Sequence, residues 1–487
     1  MNSIETKPDA SAGPVLVSDL DGTLCRTDTM HEALLLLVTA RPLDLLRVPG
    51  WVARGKVEFK DELAGRITLD AETLPLNADV IDLLKKARSE GRRTALVSAS
   101  DHRQVTAIAE ATGLFDEAYG SAEGRNLKGK AKADFLTERY GAKGYDYIGD
   151  ATVDIPVWEE ANTAITVGAK ASLKAAAEEV NPNTSHIAPP EGKLRSVLRA
   201  LRPHQWSKNM LLFLPLVAAH DFSNLLVVAL AFIAFCLTAS SVYVINDLMD
   251  LPVDRIHPRK RQRPFASGHL SAAEGAGLAT GLLAFALLFG LATGQLAFLA
   301  VLAIYFAVTF AYSLWLKRKL IIDVLMLAGL YTIRIIAGGA AGAINLSPWM
   351  LGFSMFLFLG LAAVKRQAEL MDQMVTGRTS SGRAYEVEDL PVLRGIALTA
   401  GQASILVLAL YISSNVGDLY AFPGLLWLIC PALLYWFLRM VMKTHRGEMT
   451  DDPIVFATKD KISLLIVAMC GLLGFLAAVW PWYVPQV

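Results

Sequence analysis

Apolar and polar positions follow two different rhythms along this chain. Over residues 1–200 the apolar runs are short and separated by mixed charge, whereas residues 205–487 are dominated by long runs of Leu, Ala, Phe, Val and Ile. A membrane-crossing helix needs about 20 mostly apolar residues. Nine segments approach that length, at 206–221, 225–246, 272–291, 296–315, 321–343, 348–365, 396–415, 419–438 and 462–483. The pattern therefore predicts nine transmembrane helices. In the first part, "PVLVSDLDG", "RRTALVSAS" and "YDYIGDATVD" each read as an apolar strand running into a polar tip. Two domains of different solvent class are expected.

Composition sharpens this division. With 53% hydrophobic residues and a mean hydropathy of +0.40, the chain is too apolar for an ordinary soluble protein. Its 46 basic and 46 acidic residues balance, so no nucleic-acid partner is expected. Cys25, Cys236, Cys430 and Cys470 show neither metal-ligand spacing nor a disulfide framework. The stretch "MNSIETKPDASAGPVLVSDLDG" lacks a basic region followed by an apolar core, so a signal peptide is not expected.

Charge also sets a direction across the membrane. From residue 191 on, the leader and the loops after even-numbered spans carry 5, 5, 3, 5 and 5 Lys or Arg, and the other side carries none. Lys and Arg accumulate in cytoplasmic loops. The even loops and the N-terminal half are thus expected in the cytoplasm, with the chain in a bacterial inner membrane. The final "WPWYVPQV" reads as an aromatic anchor at the outer interface. One basic residue outside that count, Arg334 in "LMLAGLYTIRIIAGGAAG", falls in the middle of a span. A charge at that depth faces a partner or a cavity. An acid on another span would satisfy it, and so would a phosphate ligand. The Gly and Ala run at 337–343 reads as close helix packing.

The loop "NDLMDLPVDRIHPRKRQRPFASG", residues 246–268, carries acids and bases together. Asp247, Asp250 and Asp254 recur at helical spacing on one face. With Asn246 they form an oxygen set suited to Mg²⁺, which also keeps phosphate oxygens and water in its shell. Arg255, Arg259, Lys260, Arg261 and Arg263 offer donors for phosphates. Topology alone explains the bases but not three acids in register. Pro252 removes a helical hydrogen bond and is expected to begin a new turn inside the motif.

These residues carry a resemblance. "NDLMDLPVD" is similar to the N-D-x-x-D-x-x-x-D signature of the UbiA superfamily of membrane prenyltransferases, which have nine helices. "RIHPRKRQRPFASG" and "YSLWLKRKLIIDVLMLAGLYTIRIIAGG" resemble the decaprenyl-phosphate phosphoribosyltransferase branch, over roughly residues 195–487. Where ordinary prenyltransferases have a second acidic motif, this chain reads "AAVKRQAELMD", with Lys365, Arg366, Glu369 and Asp372. The resemblance implies phosphoribosyl diphosphate on Mg²⁺ held by Asn246, Asp247, Asp250 and Asp254. It also implies a polyprenyl phosphate held by cations such as Lys365 and Arg366, its oxygen attacking the anomeric carbon as diphosphate leaves.

The soluble half carries a second resemblance. "SDLDGTL", a strand ending at Ser98, a Lys in "NLKGKAKADFL" and "GDATVD" follow the order of the four motifs of the haloacid dehalogenase (HAD) superfamily. The implied fold is an α/β Rossmann-like HAD domain at 12–190, with a helical cap at about 28–90. A C-terminal edge and linker at 170–195 then leads to the all-α membrane domain at 195–487. Implied roles are a nucleophile at Asp19 and an acid–base at Asp21. Ser98 and Lys132 would neutralise the phosphoryl group, Lys132 being preferred to Lys128 and Lys130. Asp19, Asp21, Asp150 and Asp154 are the candidate Mg²⁺ set. The cap segment "HEALLLLVTARPLDLLRVPGWVARGKVEFK" is unusually apolar. Its own core accounts for that, and so does contact of Trp51 and its basic neighbours with a membrane surface.

Joined in one chain, the two resemblances suggest consecutive chemistry. Phosphoribose would pass to the membrane-borne polyprenyl phosphate, and the phosphatase would remove the 5-phosphate. Two other readings stay open. One is a prenyltransferase acting on an aromatic acceptor beside a phosphatase of separate substrate, against which Lys365 and Arg366 stand. The other is a membrane anchor for a phosphatase, which would need neither the Asp motif nor Arg334. Oligomeric state is not indicated.

Overall fold

The computed structural model describes residues 13–122, 125–188, 192–377, 383–415, 419–449 and 452–479. The expected aromatic anchor at 480–487 lies outside the described residues. The chain divides into two compact units, one of residues 1–200 and 244–278, the other of 201–243 and 279–487.

The first unit is built on six parallel strands: β1 (Val15–Ser18), β2 (Thr94–Asp101), β3 (Glu117–Ser121), β4 (Tyr145–Gly149), β5 (Ala164–Val167) and β6 (Thr184–Ile187). Their spatial order is β3-β2-β1-β4-β5-β6, every neighbouring pair parallel. Alternate residues of each strand feed two separate cores. Leu16, Leu96 and Ile148 enter one face with Val105 and Ile108. Val17, Ala95, Val97 and Tyr147 enter the other with Leu136 and Trp158. A sheet covered on both faces reads as near-continuous apolar runs, which is why "VLV" and "ALV" signal strands. Chain order reverses between β1 and β4, and the crevice beyond the carboxyl ends of strands at such a point is where α/β sheets bind ligands. Asp19 and Asp150 follow those two strands directly.

Between β1 and β2 the cap comprises helices Thr29–Ala40, Val48–Ala53 and Lys56–Ala64, with a 3₁₀ turn at Pro42–Arg47. Asp28 caps the first by accepting from the amides of Met30 and His31. Ala33, Leu37, Trp51, Phe59, Leu63, Ile67 and Leu69 form a core of its own. The later helix Ala78–Ser89, inside the expected cap range, instead sends Val80, Leu84 and Ala87 into a sheet core. The stretch 244–278 also belongs to this unit. It holds the end of helix Leu225–Met249, the short helix Leu251–Ile256 and the start of helix Ala272–Ala292.

The second unit is helical. Among the described residues eight helices are long and apolar enough to cross a membrane: Leu225–Met249, Ala272–Ala292, Leu296–Leu314, Ile322–Gly342, Pro348–Val375, Val387–Ser414, Pro423–His445 and Lys461–Val479. The sequence pattern predicts nine. The segment at 206–221 is instead a 3₁₀ stretch, Pro203–Phe213, followed by a short helix, Leu214–Ala219. Pro203 and Pro215 each start one of these pieces, and Lys208 and Asn209 between them are buried polar groups. Helix Ile322–Gly342 is the most enclosed, with 61% of its apolar window buried against 17% for Leu296–Leu314 and Lys461–Val479. Its glycines let neighbours come close. A Cβ at Gly338 would collide with the carbonyl oxygen of Leu212.

Candidate active sites

At the tip of β1 the backbone turns through Gly22, whose φ of +74° suits glycine. A side chain there would also strike the carboxylate of Asp150. Asp19 accepts from the amide of Leu20 at 2.8 Å and from Lys132 Nζ at 2.8 Å. Lys132, 2% exposed, also donates to the Tyr147 hydroxyl at 2.7 Å. That hydroxyl donates to Asp154 at 3.1 Å. Burial alone would lower the Lys132 pKa, but Asp19 and Asp154 outweigh it and hold it raised. Lys128 and Lys130 are exposed. The second oxygen of Asp154 accepts from the amides of Asp150 and Ala151 at 3.3 and 3.1 Å.

Asp21 is held apart from this group. It accepts from the Thr29 amide at 2.6 Å and the Ser100 hydroxyl at 2.5 Å. Burial first, then the nearby Asp28 charge, push its pKa up to about 6. Ser98 is buried and accepts from the Ser100 amide at 3.1 Å. Ser100 lies two residues further along the strand and therefore on the same side. That spacing was the available signal for it. Tyr147 and Thr23, which donates to Asp150 at 3.2 Å, had no motif to announce them.

Among the described residues one carboxylate group suits a metal ion. Asp19, Asp150 and Asp154 each offer an oxygen within 4.8 Å of the others. Oxygen donors in that number fit a hard divalent cation such as Mg²⁺. Asp21, counted with these ligands from the sequence, is outside the group and engaged with Thr29 and Ser100 instead. Beside the site lies a cavity of about 280 Å³ between the cap helix Lys56–Ala64 and the ends of β2 and β3. Lys60 lines it and donates to the Ala99 carbonyl at 2.5 Å.

The loop at 246–268 keeps its helical register across Pro252. The first helix ends at Met249 and a second runs Leu251–Ile256. The amides of Asp250 and Asp254 still donate to Asn246 and Asp250 at 2.9 Å each. Asp247 and Asp254 are buried, and Arg263 bridges them at 3.0 and 2.6 Å. Asp247, Asp250 and Asp254 are thus not gathered as the phosphatase-side acids are. Two buried oxygens, Asn246 Oδ1 and Asp254 Oδ1, have no hydrogen-bond donor among the described residues. Unsatisfied oxygens of that kind fit a cation. Of the expected phosphate donors, Lys260 lies 3.8 Å from Asp254 and Arg261 is exposed. Arg255 differs from expectation. Its guanidinium makes a buried, two-pronged pair with Glu32 at 2.7 and 3.1 Å, so it is not a free phosphate donor.

In the second unit the buried charges sort into three sets. Arg334 donates to Asn209 at 2.9 Å and Tyr305 at 3.3 Å, and faces the rings of Phe235, Tyr305 and Tyr331. Among the described residues no carboxylate pairs with it. Lys365 and Lys208 both reach Asp452, at 3.0 and 2.9 Å, and Tyr331 donates to the same carboxylate at 3.0 Å. Arg366, expected to hold a lipid phosphate, is 1% exposed and already occupied. It pairs with Asp323 and Glu369 and donates to Tyr312 at 3.0 Å. All three guanidinium nitrogens are thereby engaged, which is a packing role and not a ligand-binding one. Asp452, Lys208 and Asp323 come from distant parts of the sequence, and no local pattern marked them.

Two protein families match two successive stretches of the chain. The UbiA prenyltransferase family matches residues 210–459, and the haloacid dehalogenase-like hydrolases match residues 16–159. The chain belongs to the UbiA prenyltransferase family and carries a HAD domain at its N-terminal side; it is an integral membrane protein with enzyme domains. Among its relatives, the uncharacterized protein y4nM of Sinorhizobium fredii is 37% identical over 467 residues, 93% of this chain and 89% of that one. The nodulation protein NoeC of Azorhizobium caulinodans is 37% identical over 55% of this chain and 88% of its own. The decaprenyl-phosphate phosphoribosyltransferase of Mycolicibacterium smegmatis is 34% identical over 61% of this chain and 96% of its own. Among solved structures, a UbiA homolog from Archaeoglobus fulgidus bound to GPP and Mg²⁺ aligns at 17% identity and a TM-score of 0.46, over 58% of this chain and 99% of that one.

Proposed function

We propose that this chain moves phosphoribose from phosphoribosyl diphosphate to a polyprenyl phosphate and then removes the 5-phosphate, giving polyprenylphosphoryl-ribose. The observation that carries the first step is the 34% identity to a decaprenyl-phosphate phosphoribosyltransferase along 96% of that relative's length. The transferase domain would occupy 195–487 and the HAD domain 12–190, joined by an edge and linker at 170–195. In this reading the N-terminal domain and both sites are cytoplasmic, the segment at 206–221 counts as a ninth span, and the C-terminus is outside.

In the transfer, a phosphate oxygen of the lipid forms a bond to the anomeric carbon as the bond to diphosphate breaks. Asn246, Asp247, Asp250 and Asp254 would hold Mg²⁺, with Lys260, Arg261 and Arg263 meeting the donor's phosphates. Lys365, Lys208 and Arg334 are the cations we assign to the lipid phosphate, because the two lysines share the single carboxylate of Asp452 and Arg334 pairs with none among the described residues. Arg366, held by two carboxylates, and Arg255, in a buried two-pronged pair, are left out. Positioning and charge do most of such a reaction. In the second step the Asp19 carboxylate attacks the 5-phosphate and Asp21 protonates the leaving ribose oxygen. Asp21 then takes a proton from the water that releases phosphate. Ser98 and Lys132 hold the phosphoryl oxygens, with Mg²⁺ on Asp19, Asp150 and Asp154. At either site Mg²⁺ would neutralise phosphate charge.

The test uses purified protein, Mg²⁺, a short polyprenyl phosphate and phosphoribosyl diphosphate labelled in the ribose. Label should enter the lipid fraction, and phosphate should follow from the intact protein but not from Asp19→Asn. Label that stays in water, while a prenyl diphosphate is consumed with an aromatic acceptor, would overturn the reading.

A further inference from the structure

The tip of the cap carries apolar side chains that its own core does not use. A 3₁₀ helix has three residues per turn, so side chains at i and i+3 eclipse. In Pro42–Arg47 this lines up Leu43 and Leu46, which are 81% and 82% exposed. Leu45 and Val48 turn inward against the cap core, and Trp51 is buried there beneath the guanidinium of Arg66. The exposed pair is therefore a second face, separate from the one that holds the cap together. Val52 adds to the exposed apolar surface of the same tip.

Charge around that face is sorted by sign. The side chains of Arg41 and Arg47 project into solvent. Asp44, the acid between them, is largely buried and pairs with Arg47 at 3.2 Å, Arg66 at 3.9 Å and Arg41 at 4.0 Å, so one carboxylate is shared among three guanidinium groups and the face keeps an excess of positive charge. Arg54 is different, being held by two carboxylates of its own, Glu58 and Glu62. Two aligned leucines flanked by half-exposed cations that outnumber their one shared acid match an anionic lipid surface. Leucines enter the boundary between headgroups and acyl chains, and guanidinium groups meet the headgroup phosphates. The chain is itself anchored in a bilayer, so that surface is always at hand.

We propose that the cap tip docks on an anionic membrane surface by inserting Leu43 and Leu46, with Arg41 and Arg47 on the headgroups. Its use in presenting a lipid-linked phosphate to Asp19 rests on the function proposed above; the docking does not.

The test places full-length protein in lipid nanodiscs with an environment-sensitive dye on Leu46→Cys. Cys25, Cys236 and Cys430 are buried, and the unsubstituted protein sets the background. In discs containing phosphatidylglycerol the dye should shift to the blue and be quenched by lipid-borne spin labels. Arg41→Gln with Arg47→Gln should weaken this docking by roughly thirtyfold. Water-like emission in every disc, or an equal shift in discs of phosphatidylcholine alone, overturns the proposal. So does a shift that follows the number of proteins per disc, which would make a second copy the occupant. Leu43→Asp with Leu46→Asp should lower turnover of a lipid-linked phosphate while leaving p-nitrophenyl phosphate hydrolysis as in the parent. Equal loss on both substrates would mark a damaged cap and count against docking. If the parent turns over no lipid-linked phosphate, the functional reading fails while the dye still decides the docking.

Discussion

Single residues divide into those announced by a local motif and those recruited from afar. Asp19, Asp150, Asp154 and Lys132 stand at strand ends and a helix start, where three of the four short motifs marked them, and they meet in one cluster. Tyr147 joins Lys132 to Asp154 and was not marked, because a tyrosine inside a strand reads as core. Tyr147→Phe should leave the KM for p-nitrophenyl phosphate near the parent value and lower kcat by roughly 10- to 100-fold, as loss of a supporting contact does in comparable sites. Steady-state kinetics would check it. Lys365 and Arg366 are adjacent and looked equivalent in sequence, yet their partners separate them. Arg366→Ala would strand the buried Asp323 and should cost about 3–5 kcal/mol, read as a fall in Tm in detergent. Lys365→Ala should keep the fold and lower phosphoribosyl transfer by about a hundredfold, the scale of one lost charge-stabilising donor.

At the scale of elements, helices were legible where an apolar run was uninterrupted, and their form was not where polar residues broke the run. Seven later spans and the 225–246 span have helices at their positions, because an uninterrupted apolar run has few other solutions in a bilayer. The 206–221 segment contains Lys208, Asn209 and Pro215, and its backbone settles into two short pieces beside Gly338. Gly338→Leu should force those pieces away and destabilise the helical unit by at least about 1–3 kcal/mol, the usual cost of overpacking. A thermal-shift assay in detergent would show it. Pro252 behaves as its chemistry predicts. It opens a new helix, yet two backbone bonds carry the register of the three aspartates across the joint.

For the whole molecule, two families on one chain were legible from ordered motifs, but how charges pair across hundreds of residues was not. Glu32 and Arg255 are 223 positions apart, and neither position hints at the other. The two activities should be separable. Asp250→Asn is expected to abolish transfer of labelled ribose to lipid while phosphate release from p-nitrophenyl phosphate persists. Chelation of Mg²⁺ with EDTA should stop both, and added Mg²⁺ should restore both; activity unaffected by EDTA at either site would refute its metal assignment.

The place of the Asp323–Arg366 pair has a consequence for how the chain enters its membrane. Asp323 stands in the first turn of its helix and Arg366 just past the apolar run of the next, so an unpaired ion there costs less than the roughly 2.5–3.5 kcal/mol it would cost at mid-helix. The two sit on consecutive helices, Ile322–Gly342 and Pro348–Val375, separated by a turn of a few residues. A helix delivered alone carries its charge unpaired at that lower cost. Insertion therefore does not depend on the pair, which clasps the hairpin afterwards: Asp323→Ala should leave a glycosylation-tagged insertion assay unchanged and show its defect only as a lower Tm of the folded chain in detergent.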